Sequence, residues 1–378
     1  MENNITIPLE DVKEGMVATR PIFVRNKMGA SVMLVKNNSQ LTEDIIKQLH
    51  AYGVKSLSVF DDGSFPRERT LDYIREKVLE RLRGRLDEDV PRPILSEDFT
   101  NEAIGSIRDL FDMANGSTAF NAPMVVKQLE DVIKEMVKTL TKPENKNVHI
   151  TQLKSYDEYT YHHSLSVTVL SVAIGRKMNM SNIALETLAR CAIVHDIGKI
   201  FIPLDILNKT SKLTEKEFKT IQTHSALGSE YLKKQQIGDR LLWDVVRGHH
   251  EKFDGSGYPD RLMGKEIPLF SRIISAADIY DAITSNRPYR DPMSPSQAFE
   301  TIMSEAGKGL EYEVVLALDR AVEFYPIGST LALSDGSIGI VADNKNPLRP
   351  TLEMLPDNSP LDLAKLDKLE YSIVEIIA

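Results

Sequence analysis

The sequence predicts a mainly α-helical chain carrying a small N-terminal α/β module and a short C-terminal β appendage. Three observations lead there. A helical period dominates from about Asn147 to Phe324, strand-like runs surround one helix near the N-terminus, and glycine-punctuated β-branched runs follow Tyr325. At roughly 100–200 residues per domain, 378 residues imply two or three domains.

Residues 1–65 read as the α/β module. Ser31–Val35 and Ser56–Phe60 are strand-like. Between them Thr42 can cap a helix with Glu43 and Asp44 in its first turn, Ile45, Ile46 and Leu49 on its apolar face, and Gly53 as its stop. Residues 66–146 read as a helical connector after the turn-like Asp61-Asp62-Gly63-Ser64. There Leu71, Ile74, Val78, Leu82 and Leu86 form a charge-flanked stripe, read as a solvated helix on its own domain ahead of a dimerisation or signalling helix. Residues 147–324 form the main helical domain, where Thr214 and Glu217 make a capping box and Ser294 before Pro295 starts a further helix. Residues 325–378 form the β appendage, with Gly328, Gly336 and Gly339 around the run Ser337–Val341. Neither terminal segment holds a catalytic residue set.

Composition narrows the function classes. With 42% hydrophobic and 27% charged residues the chain is neither disordered nor collagen-like, and no apolar run approaches the roughly 18 residues of a spanning helix. The opening MENNITIPLEDVKEG lacks the basic and apolar stretches of a signal peptide, so a cytoplasmic address is expected. The single Cys191 agrees with a reducing compartment and removes thiolate-based zinc sites; it reads as core packing rather than redox chemistry. A net charge of -9 argues against nucleic-acid polymers and anionic membranes as partners, while leaving room for a small anion in a local positive pocket.

The histidines carry the chemistry. Five of the eight form the candidate set in the helical domain, His163, His195, His224, His249 and His250, with Asp196 directly after His195. His163 aligns with Val167, Leu170 and Ile174; His195 follows Leu185, Leu188 and Ala192; His249 follows Leu242 and Val246; Asp278 and Asp281 continue a face containing Ile274. Each is therefore expected on the apolar stripe of its own helix. One such histidine alone reads equally well as a hydrogen-bonded core residue, but inward carboxylates are costly unless paired or bound to a cation, so the set points to a shared metal centre. Imidazole and carboxylate ligands suit iron, manganese or zinc, and an Asp between two His sets can bridge two ions. Two ions about 3.5–4 Å apart can hold a hydroxide between them as nucleophile, which makes phosphoester hydrolysis the expected reaction class.

These residues resemble a known family. His195-Asp196-Ile197-Gly198-Lys199 matches the signature of the HD phosphohydrolase superfamily, and the run from His249-His250-Glu251 through Asp254-Gly255-Ser256-Gly257-Tyr258-Pro259 matches its HD-GYP branch. Tyr159-Thr160-Tyr161 before His163, His224, Asp278 and Arg287-Pro288-Tyr289-Arg290 fall in family order, over residues 150 to 325. The resemblance implies an HD-type all-helical catalytic domain in a bacterial phosphodiesterase that hydrolyses cyclic di-GMP to linear pGpG or onward to GMP. It implies a binuclear centre, with iron or manganese ahead of zinc, in which His163, His195, Asp196 and Asp278 hold one metal and Asp196 bridges to a second held by His224, His249 and His250. Lys199, Arg287 and Arg290 match phosphate- or guanine-contacting positions, Lys199 is also a candidate to assist the leaving oxygen, and the loop of Gly255, Gly257, Tyr258 and Pro259 would lie beside the metals, with Tyr258 toward substrate. Family members with three metals carry a Glu where this chain has Tyr159, and Glu158 is about 100° off phase on a helix, so two metals are expected. His162 is expected to point elsewhere. The alternatives carried forward are a cyclic-dinucleotide receptor with little turnover and a phosphodiesterase for a hybrid cyclic GMP-AMP. Homodimerisation remains open.

Overall fold

A computed structural model describes residues 4–19, 22–25, 31–36, 38–52, 54, 56–60, 94–116, 122–143, 145, 147–148, 159–209, 211–285, 293, 295–333, 337–355, 358–365 and 373–376. The stripe Leu71 to Leu86, Gly53, Gly336, Ser294, Glu158, Arg287 and Arg290 lie outside them. The chain divides into two compact units, residues 1–91 with 325–378 and residues 92–324.

In the first unit, β1 (Asn4–Pro8), β2 (Val17–Ala18), β5 (Ser39–Gln40) and β6 (Ser56–Phe60) form an antiparallel sheet ordered β1-β6-β2-β5, while β3 (Ile22–Arg25) and β4 (Ser31–Val35) pair with each other. Helix α1 (Glu43–Ala51) starts where the Thr42 hydroxyl accepts the Ile45 N–H. Strand alternation turns Ile7, Leu57 and Val59 toward Leu41 and Leu49 in a small core. The C-terminal strands β7 (Thr330–Leu333), β8 (Ile338–Asp343), β9 (Thr351–Leu355), β10 (Pro360–Asp362) and β11 (Ile373–Ile376) form an antiparallel sheet ordered β10-β9-β8-β7-β11.

The helical unit begins at Arg92, well before the boundary at Asn147 that the sequence suggested. Helices α2 (Glu97–Ala114) and α3 (Ala122–Leu140) pack against α4 (Tyr159–Lys177), and α3 also against α5 (Asn182–Ile193). The cause is in α3, which buries Val125, Leu129, Val132, Ile133, Met136 and Val137 at helical spacing and exposes Lys127, Asp131, Lys134 and Glu135. Arg190 of α5 forks onto Glu130 of α3, with Nη2 2.6 Å from Oε2, and Arg176 Nη1 donates to the Leu140 carbonyl at 2.7 Å.

Helix α4 is the centre of the unit. Leu165, Val167, Val169, Leu170, Val172 and Ile174 are all fully buried, and so are Ser164, Thr168 and Ser171 between them, so the helix is covered on every side. The remaining helices are α6 (Leu204–Leu207), α7 (Glu215–Gln222), α8 (His224–Lys234), α9 (Arg240–Gly248), α10 (Leu269–Thr284), α11 (Pro295–Glu305) and α12 (Tyr312–Ala321). Helix α7 opens with the anticipated capping box: Glu217 Oε2 accepts the Thr214 N–H at 2.7 Å and Thr214 Oγ1 accepts the Glu217 N–H at 3.3 Å. Among the described residues no helix is long and apolar enough to cross a membrane.

Ile133→Ala tests whether α3 is integral to the unit. A fully buried residue there implies a loss of about 2–5 kcal/mol in urea unfolding. A loss below about 1 kcal/mol, the size expected of an exposed connector position, would contradict the assignment.

Candidate metal centre

Five imidazoles and two carboxylates from several elements converge in the helical unit. Helix interiors supply only His163, on α4, and Asp278, on α10. The expectation that every candidate rides the stripe of its own helix is corrected for the others. His195 and Asp196 follow the C-cap Val194 of α5, His224 opens α8 directly after the capped helix α7, and His249 is the C-cap of α9 with His250 next to it.

Helix ends suit this task because their last carbonyls lack intrahelical partners. His195 Nδ1 donates to the Ala192 carbonyl at 2.7 Å, His224 Nδ1 to Ile221 at 2.7 Å and His249 Nδ1 to Val246 at 2.6 Å. Carbonyl oxygens only accept, so each proton sits on Nδ1 and each Nε2 presents a lone pair. His163 Nδ1 donates instead to a carboxylate, Asp281 Oδ2, at 2.7 Å. Asp281 was visible in the sequence only as a companion of Asp278 three residues on, and burial behind His163 is what marks its role.

The Nε2 atoms surround Asp196. His163 and His195 lie 3.5 and 3.3 Å from Oδ2, and His224 and His249 lie 3.3 and 4.0 Å from Oδ1. Two potential metal-holding groups result, His163 with His195 and Asp196, and Asp196 with His224, His249 and His250. Asp278 stands beside both, Oδ1 3.1 Å from His163 Nε2 and Oδ2 3.9 Å from His250 Nδ1.

This donor set fits a cation. His224 Nε2 and His249 Nε2 are 3.2 Å apart, yet both rings already use their only neutral-state proton at Nδ1, so two lone pairs face each other. His195 Nε2 and Asp196 Oδ1 are buried without a hydrogen-bond partner. Burying such acceptors face to face is unfavourable unless positive charge lies between them. Protonation does not supply it at His249: burial first, then its imidazole neighbours, hold the His249 pKa well below the usual histidine range. Burial likewise depresses His250, to about 3. At Asp196 burial pushes the pKa up, but the Lys199 ammonium and the histidines around the carboxyl outweigh it and keep it well below its ordinary value. His163 is the exception; burial pulls it down, but hydrogen bonds to Asp196, Asp278 and Asp281 raise it well above.

Close backbone approach brings the pieces together. A Cβ on Gly198 would lie 1.9 Å from the His224 carbonyl, so only glycine lets the turn after Asp196 touch the start of α8. At Gly257 a Cβ would lie 2.2 Å from the Lys252 nitrogen, which seats the following loop on the chain just after His250. Tyr258 then stacks on His250 with ring centroids 4.8 Å apart. Glu251, buried beneath, accepts the N–H groups of Asp260 at 2.6 Å and Leu262 at 3.1 Å, and Arg247 clamps Asp260. Its place beside two candidate ligands was the only sequence signal for this anchoring role. Lys199 Nζ sits 2.5 Å from Asp196 Oδ2. His162 is half-buried and belongs to neither group, while Cys191 is buried in the core with its thiol pushed up to about 12 by burial.

Comparison with known proteins meets this geometry directly. Residues 127–314 match the sequence profile of the HD domain. Those residues carry an HD domain. It is 29% identical to a cyclic di-GMP phosphodiesterase of Pseudomonas aeruginosa over 80% of this chain and 72% of that protein. It is 38% identical to a cyclic di-GMP phosphodiesterase of Thermotoga maritima over 44% of this chain and 46% of that protein. It is 37% identical to a 3'3'-cGAMP-specific phosphodiesterase of Vibrio cholerae over 44% of this chain and 36% of that protein. The chain thus spans less than half the length of the last two relatives. In fold it resembles a Bdellovibrio bacteriovorus HDG"Y"P protein, with a TM-score of 0.50 and 14% identity over 84% of this chain and 98% of the other.

The HD domain's imidazoles make a prediction for the metal-free protein. Unfolded histidines titrate near 6.5, whereas folded His249 and His250 resist protonation until far lower pH, so below about 6.5 the unfolded state binds more protons and stability falls as pH falls. His163, raised in the fold, is protonated in both states there and adds no slope. The melting temperature after chelator treatment is expected to drop steadily between pH 6.5 and 4.5, above the carboxylate range. A flat profile would contradict neutral, buried imidazoles.

Proposed function

We propose that this HD domain protein is a metal-dependent phosphodiesterase of the HD-GYP branch that hydrolyses cyclic di-GMP to linear pGpG and GMP in the cytoplasm. The observation that carries the reading is the pair of ligand groups sharing Asp196, with the Nε2 atoms of His163, His195, His224 and His249 turned toward that carboxylate. We assign His163, His195, Asp196 and Asp278 to one divalent ion and Asp196, His224, His249 and His250 to a second, with iron or manganese ahead of zinc. When bound, such a pair polarises the phosphodiester as a Lewis acid and lowers the pKa of water.

The chain's own residues have distinct tasks. Asp196 offers one oxygen to each group, setting their separation by the width of a carboxylate. Asp281 and the helix-end carbonyls hold the ligand rings in the tautomer that leaves Nε2 free to coordinate. Lys199, partly exposed next to Asp196, brings a cation and a donor to the edge of the centre where the leaving oxygen needs a proton. Tyr258 holds its phenol proton, its pKa raised by burial and by the charges of Asp278 and Asp196, and so serves substrate as a donor. Arg287 and Arg290 are proposed phosphate contacts. An acidic chain of net charge -9 needs these local cations to attract a dianionic substrate. The Vibrio relatives specific for 3'3'-cGAMP make hybrid cyclic GMP-AMP the second substrate to test.

The deciding experiment is anaerobic purification with metal quantitation, followed by chromatography of products from cyclic di-GMP and from the hybrid ring. Linear pGpG or GMP with about two metals per chain is expected. Substrate bound without product at any metal loading would identify a receptor instead. His195→Ala and Asp196→Ala are each expected to lower turnover at least 10³-fold on the order of lost metal-assisted chemistry and to reduce bound metal. Arg287→Ala is expected to raise KM with metal content retained; unchanged kinetics would remove Arg287 from the site.

A further inference from the structure

Lys199 faces a second feature besides Asp196. It lines an open cavity of about 640 Å³ in the helical unit, whose walls include Phe111, Tyr161, Phe201, Leu204 and Asn115. That volume falls within the roughly 300–1,000 Å³ typical of ligand pockets. The lining is apolar where solvent would ordinarily select polar groups: Phe201 is 43% exposed and Leu204 70%. The rings are also held in place. Phe201 leans on Tyr231 with centroids 5.6 Å apart, and Tyr161 meets Phe111 edge-on at 5.6 Å, so little side-chain ordering remains to be done when a flat ligand arrives.

The position of Lys199 says what kind of ligand. Its ammonium is 2.5 Å from Asp196 Oδ2 while its side chain lines the cavity, so the two sites lie within the reach of one lysine. A molecule occupying both needs an anionic group at the carboxylate–imidazole end and a planar, largely apolar group at the other. Resting on the phosphodiesterase reading, we infer that this cavity receives one purine base of the cyclic dinucleotide, stacked on Phe201 beside Tyr161, with the Asn115 amide, a donor and an acceptor, meeting the base edge. The second base and the far phosphate face away from it, so the cavity governs affinity for one nucleotide and leaves the metal ligands untouched.

Two measurements on the full chain test this. The first is fluorescence of 2-aminopurine riboside 5′-monophosphate titrated with metal-replete protein. Stacking quenches the base, and quenching is expected with wild type and lost in Phe201→Leu, which keeps apolar volume but has no ring. This readout needs no turnover, so it stands apart from the test of the phosphodiesterase reading. The second is steady-state hydrolysis of cyclic di-GMP by Phe201→Leu and Tyr161→Ala. Loss of one stacking partner is expected to raise KM about tenfold to a hundredfold, with kcat within about threefold and metal content unchanged. Phe201 is exposed enough for its variant to fold, and an unchanged melting temperature would document that. Absence of quenching by wild type overturns the inference, even if the enzyme is active. Active variants with wild-type KM overturn it while leaving the function intact, and so does a shift in sedimentation of Phe201→Leu with nucleotide binding unchanged, which would make the cavity a protein interface.

Discussion

The structure of the helical unit depends on where four protons sit. His195, His224 and His249 each give the Nδ1 proton to a carbonyl in the last turn of a helix, and His163 gives its own to Asp281. The Nε2 atoms of His195, His224 and His249 are then bare acceptors in a buried space around another acceptor, Asp196. Such a cluster is electrostatically poor by itself and becomes favourable when cations enter. The helices that hold it must therefore be stable for other reasons, and the buried apolar residues of α4 with the ring of helices around it provide them.

Helix termini do two jobs at once in this arrangement. Carbonyls in the last turns of α5, α7 and α9 accept from the imidazoles, and the same hydrogen bonds orient the rings. His163 sits in a helix interior, and Asp281 from another helix accepts its Nδ1 proton. The constraint extends to backbone spacing, since Gly198 places the turn after Asp196 against the His224 carbonyl at a distance no side chain permits.

The sequence was most legible where chemistry is concentrated in short runs. His195-Asp196 through Lys199 and His249-His250 through Pro259 stood out as candidate ligands and, through the family resemblance, a loop beside them, and the capping box at Thr214 and Glu217 appears as read. It was less legible where partners are distant in sequence. Nothing near Asp281 indicates that it supports His163, more than a hundred residues earlier, and Glu251 looked like a member of a motif rather than the anchor of the Asp260–Leu262 backbone. The unit's boundary was misplaced for the same reason. The stripe of α3 is evident as a helix face, but which surface it covers is decided by α4 and α5.

Residue type and spacing alone determined that this chain is mainly helical, that its metal-binding chemistry is nitrogen and oxygen without sulfur, and which histidines and aspartates could take part, because these follow from local periodicity and side-chain chemistry. Tertiary structure alone decided that the candidate ligands form two groups around the two oxygens of Asp196, that most of them stand at helix ends rather than on helix faces, and that an aromatic-walled cavity begins at Lys199. The reason is physical. Tautomer, shared carboxylate geometry and cavity shape depend on distances between elements, and those distances are set by packing across the core.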